Sequence, residues 1–112
     1  MKTIVCTNMN KKDLINAKNA SKSVSEAIDA GLVFEITGVS VVENGATNRN
    51  GQPCNVGYIA TANDGIFGFV SDILIRTLDD ISDLLTDGEK VTARFISGTS
   101  KNGTEYYSIE IL

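Results

Sequence analysis

A chain of 112 residues, 42% hydrophobic and 21% charged, can bury one core and is too apolar to remain disordered. Its apolar runs are a few residues long, against the about twenty that span a bilayer, and Thr3-Ile4-Val5-Cys6-Thr7 is short of a signal-peptide core, so a cytoplasmic protein without a membrane partner is expected. The net charge of -4 argues against a strongly basic polyanion binder, and the absence of histidine removes the usual general base of Ser and Cys hydrolases and the commonest ligand of catalytic zinc, so no enzyme is expected.

The chain divides into an N-terminal strand and helical extension over residues 1–30 and a β-rich body over 31–112, read together as one domain. Lys11 to Ala30 carries Leu14, Ile15, Val24, Ala27 and Ile28 at helical spacing. Ser23 followed by Glu26 is a capping-box signature, and Gly31 suits a left-handed helix end. From Leu32 the period changes to two, with Leu32, Phe34 and Ile36 on one face. At Gly38 the parity slips and Val39 and Val41 carry the apolar face, which predicts a bulge that bends one long strand.

Glu43 to Gln52, rich in Asn and Gly, reads as a long polar loop. A second strand is predicted from Cys54 to Ala62 and a third from Ile66 into Ile75, joined by a turn at Asn63-Asp64-Gly65. Thr77 with Asp80 reads as a helix start, followed by an apolar stripe of Leu78, Ile81, Leu84 and Leu85 that Asp87-Gly88 ends. Lys90 to Ser97 and Tyr106 to Leu112 alternate as two further strands around a Lys101-Asn102-Gly103 turn. Val91, Ala93 and Phe95 face in from the fourth, and Tyr107, Ile109 and Ile111 from the fifth. Cys6 and Cys54 lack the C-x-x-C spacing of a zinc site and are expected to be buried free thiols, and no metal or cofactor is expected.

Strand, strand, strand, helix, strand, strand, with a long first strand kinked at a glycine, is the order of a five-stranded OB-fold barrel, an all-β fold with one inserted helix. Three segments carry a more specific likeness: Phe34-Glu35-Ile36-Thr37-Gly38-Val39, Arg76-Thr77-Leu78-Asp79-Asp80-Ile81 and Ser100-Lys101-Asn102-Gly103-Thr104-Glu105-Tyr106-Tyr107. Through them, from Ser23 to Leu112, the chain resembles small single-stranded-DNA-binding proteins of bacteriophage and mobile-element type. The resemblance implies sequence-tolerant coating of single strands in phage or mobile-element replication or recombination, in the host-cell cytoplasm, beside host or replication proteins.

Single strands are held by cationic grooves and by aromatic rings on which bases stack. Tyr58 on the second strand and Phe67 and Phe69 on the third supply rings, and Tyr106 stands beside the last hairpin. Alternation sets Phe67 and Phe69 opposite Ile66 and Val70. If the aliphatic pair points inward, two rings stand exposed; in the opposite sense the Phe rings are core. Arg49 in the first loop, Arg94 on the outer face of the fourth strand and Lys101 in the last turn would ring such a platform, and Lys11, Lys12, Lys18 and Lys22 form a further cluster.

Charge is segregated: residues 1–22 carry five Lys against one Asp, and residues 72–89 carry six acids against one Arg. Asp79, Asp83 and Asp87 share a helix face, whose ordinary state is solvated rather than metal-bound. An alternative function follows from that acidity, in which the Asp79 to Glu89 face mimics nucleic acid and blocks a host enzyme. A sugar-binding barrel is a third reading. An exposed barrel edge would permit homo-oligomers.

Overall fold

The computed structural model describes residues 2–112, and the side chains of all of these except residues 2–5 and 20. In chain order the elements are β1 (Lys2–Thr7), α1 (Lys11–Ala20), α2 (Val24–Asp29), β2 (Val33–Thr47), β3 (Pro53–Thr61), β4 (Ile66–Phe69), α3 (Asp72–Thr86), β5 (Val91–Thr99) and β6 (Glu105–Ile111). The six strands form one antiparallel sheet whose path is β4-β3-β2-β5-β6, with β1 paired to β2 beside it. The β-rich class and the helix between the third and fourth strands of the 31–112 segment agree with the sequence reading. Among the described residues no helix is long and apolar enough to cross a membrane.

The long strand β2 organises the sheet. Along one edge it pairs with β3; along the other, Val33–Ile36 pair with β5 and Val39–Glu43 with β1. Its register against β3 shifts between Ile36 and Gly38, where the sequence parity slips, so Phe34 and Ile36 before the bulge and Val39 and Val41 after it all reach the same core. Glycine is required there by space: a Cβ on Gly38 would lie 2.8 Å from the Asn8 carbonyl oxygen.

Several boundaries differ from expectation. The first half of the segment read as a long loop from Glu43 is strand: β2 continues to Thr47 through a second irregularity between Val42 and Ala46, where Asn44 takes a positive φ of 54°. Only a tight turn remains, in which Asn48 Oδ1 accepts from the N–H groups of Asn50 and Gln52 at 2.9 and 3.0 Å. Asn44 and Thr47 are thus exposed strand residues, while Asn48, Asn50 and Gln52 lie in the turn.

The strand predicted to run to Ile75 stops at Phe69, and α3 begins at Asp72 after Ser71. Thr77 is inside the helix, its hydroxyl donating to the Ile73 carbonyl at 3.1 Å. The reason is period: Leu74, Leu78 and Ile81 fall on one helical face and all three are buried, so the apolar stripe begins one turn earlier than the cap signature suggested. The Lys11–Ala30 region is two helices, and α1 carries a reciprocal cap the sequence reading did not use, Asn10 Oδ1 accepting from Asp13 N–H and Asp13 Oδ2 from Asn10 N–H. Before α2, Ser23 Oγ accepts from Glu26 N–H at 3.3 Å, one half of the expected capping box.

The principal core is built around phenylalanine. Phe34 of β2, Phe67 and Phe69 of β4 and Phe95 of β5 meet with ring centroids 5.1 to 6.2 Å apart, mostly in tilted or edge-on contacts. The expected outward platform of Phe67 and Phe69 is therefore absent; they are 1% and 9% exposed. Alternation on β4 holds, but in the opposite sense, with Ile66 on the outer face. Gly57 of β3 makes room for this choice, since a Cβ there would lie 2.5 Å from the Phe69 ring and 2.9 Å from Leu78. Phe67→Ala is expected to lower the unfolding free energy in urea by about 3–5 kcal/mol, through lost burial and the cavity left behind.

Candidate functional site

The outer face of the β2–β3–β4 sheet carries a second, smaller apolar cluster. Val42, Val56 and Tyr58 are buried there with Met9 and Ala17, and Leu14, Ala46, Ala60 and Ile66 pack around them. What covers this face is α1, whose apolar side is short: Leu14 and Ala17 point at the sheet, while Ile15 is exposed. The cover is incomplete. Between helix and sheet lies a groove of about 540 Å³ lined by Lys11, Leu14, Ile15, Lys18, Asn19, Val42, Gly45 and Tyr58. That volume is within the range of small-ligand sites.

Lys11 and Lys18 are seven residues apart and so share one side of α1, with Leu14 and Ile15 between them. Among the described residues neither lysine has a carboxylate within ion-pair distance. The result is an apolar groove with two uncompensated cations at its helical wall. Tyr58 forms part of the opposite wall. It lies in register with Gly68 of β4, and its ring leans over that glycine, so that a Cβ at Gly68 would be 3.1 Å from Tyr58 Cε1. The side chain is only 8% exposed, and burial pushes its phenol above the usual tyrosine range.

The other residues singled out from sequence are placed elsewhere. Phe67 and Phe69 are in the core. Arg49 occupies the turn between β2 and β3, and Lys101 the turn between β5 and β6; both are exposed and neither lines the groove. Arg94 does face outward from β5, but its guanidinium is paired with Glu110 at 3.0 Å on the neighbouring strand. Tyr106 is 38% exposed and is laid across Gly98, its cross-strand partner, so the backbone occupies one side of the ring. Of the expected constellation only Tyr58 reaches the groove, and the cations that meet it come from the N-terminal lysine cluster.

Leu14, Ile15, Asn19, Val42 and Gly45 were not expected here. The signal for α1 was present, because Lys11, Leu14, Ile15 and Lys18 follow the i, i+3, i+4, i+7 pattern of one helical face. The docking of that face on the outer sheet is a tertiary fact that no local pattern carries. Cys6 also departs from expectation: it is exposed, with its thiol donating to the Met9 carbonyl at 2.9 Å, and Cys54 is half-buried.

The raised phenol of Tyr58 has a consequence for stability. Its neutral form is favoured by the fold, so this contribution is complete below the unfolded tyrosine value near pH 10 and is lost as pH rises through the higher folded value. Thermal unfolding followed above about pH 10 should show a steeper loss of stability with pH for the natural chain than for Tyr58→Phe; equal slopes would contradict this origin. Set against known protein families, curated proteins and solved structures, the chain matches none.

Proposed function

We propose that the chain binds single-stranded DNA without catalysis, through an OB-type barrel formed by β2 to β6 and a groove built by adding α1 to its outer face. Support for the barrel comes from connectivity. Three strands, a helix and two strands follow one another, and the first strand, bent at Gly38, pairs with β3 over one part and with β5 over another. In barrels of this type the second and third strands present the ligand face, and here those strands are β3 and β4, with Tyr58 outward between them.

The observation that carries the reading is the meeting of Lys11 and Lys18 with Tyr58 around one apolar groove. A base entering the groove would exchange water for Tyr58, Leu14 and Val42, while the two ammonium groups would neutralise flanking phosphates. Arg49 and Lys101 stand on the turns corresponding to the loops that border such a face, and they extend the phosphate path in this proposal. Phe67, Phe69 and the ion-paired Arg94 take no part in it.

Binding of labelled oligo-dT, measured by anisotropy across a salt series, tests the reading. Lys11→Ala with Lys18→Ala should weaken binding at low salt and reduce the slope of log affinity against log salt by about 1.4, the share of two single-strand phosphate contacts. An absence of binding by the natural chain at low salt with excess protein would exclude it, and an unchanged slope in the double variant would exclude this groove.

A second reading is favoured by the solvent face of α3, where Asp72, Asp79, Asp80, Asp83 and Asp87 are all exposed beside a single cation, Arg76. Such a face can dock a nucleic-acid-binding enzyme as a mimic of its substrate. Stoichiometric recovery of a host protein that survives nuclease treatment and is lost in Asp79→Asn with Asp83→Asn supports mimicry; recovery that requires nucleic acid supports DNA binding.

A further inference from the structure

The sheet path ends at β6, whose only partner among the described residues is β5. The hydrogen bonds at both ends of this hairpin fix which backbone groups remain free. Leu112 N–H donates to the Thr92 carbonyl at 2.8 Å, and Ser100 N–H to the Thr104 carbonyl at 2.9 Å. Even-numbered residues of β6 therefore bond inward to β5. By the two-residue alternation of an antiparallel ladder, the N–H and C=O groups of Glu105, Tyr107, Ile109 and Ile111 point away from the sheet. The other end of the path is treated differently, because Lys22 N–H donates to the Ile66 carbonyl and Gly68 N–H to the Lys22 carbonyl, which covers the edge of β4.

β6 contains no proline, no lysine and no bulge, its charged residues are Glu105 and Glu110, and its register with β5 is unbroken from Glu105 to Ile111. Its inner face is also under-covered. Tyr107 and Ile111, expected to be core, are 39% and 43% exposed, and Leu112 beyond them is exposed as well. An unpaired backbone edge thus coincides on one strand with two exposed apolar side chains, Tyr107 and Ile111, on either side of the buried Ile109.

We propose that β6 pairs with β6 of a second copy, antiparallel about a two-fold axis through Ser108, to give a dimer with a continuous sheet. The choice of a second copy rests on self-complementarity. With Ser108 facing Ser108 of the second copy, Tyr107 faces Ile109 and Glu105 faces Ile111, and these are the residues whose backbone groups point outward on both strands. Glu110 faces Tyr106, so no carboxylate of this acidic chain opposes another. Registers displaced by one residue about a backbone midpoint would set inward-bonding groups against outward ones and are excluded. The register at Ser108 is the two-fold arrangement that engages the whole of Glu105–Ile111, and it sets Tyr107 of each copy beside Ile109 of the other as aromatic–β-branched pairs.

Sedimentation equilibrium should give twice the monomer mass for the natural chain. Tyr107→Pro removes the ring and, among backbone hydrogen-bonding groups, only an N–H that points to the free edge, and it should return the protein to monomer with its circular dichroism retained. A second variant does not depend on weakening the strand. In a Cys6→Ser, Cys54→Ser background, Ser108→Cys places two thiols across a non-hydrogen-bonded pair, roughly 4.5 Å apart at Cα, and should form a covalent dimer on mild oxidation, whereas Glu105→Cys should not. A natural chain that remains monomeric at high concentration overturns the proposal. So does a dimer that persists in folded Tyr107→Pro while Ser108→Cys fails to cross-link.

Discussion

The packing of four phenylalanine rings against the space left by Gly57 sets the character of both faces of the sheet. The rings come from β2, β4 and β5, so they join the two arms of the sheet through the interior, where β4 and β6 make no ladder. A side chain at position 57 would occupy the place of the Phe69 ring, and β4 would have to turn its aromatic residues elsewhere. Once all four Phe side chains are inside, the outer face of β2, β3 and β4 is left with smaller aliphatic groups and Tyr58.

That division explains α1. Val42, Val56, Tyr58 and Ile66 make an outer surface too apolar for water alone, and the N-terminal segment returns across it. Yet α1 is mostly polar, and it offers Leu14 and Ala17 where a fuller stripe would have closed the contact. A helix with a wider apolar side would bury this face completely; one with none would not dock. The intermediate case leaves the lysines on the rim and an apolar floor between them.

Much of the architecture was legible in the residues because the local signals agreed. The parity slip at Gly38, the turn at Asn63-Asp64-Gly65 and the alternation of Val91, Ala93 and Phe95 each have one physical explanation, and each is found in place. The failures arose where one pattern admits two senses. Alternation at Ile66 to Val70 separates the faces of a strand without naming the inner one, and only the partners Phe34 and Phe95, distant in sequence, decide it. Polar composition misplaced the end of β2 because exposed strand and loop draw on the same residues. The groove lay beyond reach for a related reason: the face of α1 was readable, but the surface it meets is assembled by long-range pairing.

The position of β2 between ladders on both edges also governs how the molecule opens. Amides of Val39 to Val42 lie between β1 and β3, and release of β1 with α1 would uncover one edge of them while the β3 ladder stays intact. Local opening of the N-terminal segment is thereby separable from loss of the phenylalanine core, so backbone hydrogens of β1 and α1 should exchange with solvent through partial openings and those facing β3 only through complete unfolding. The wall that bears Lys11 and Lys18 should therefore exchange before the wall that bears Tyr58.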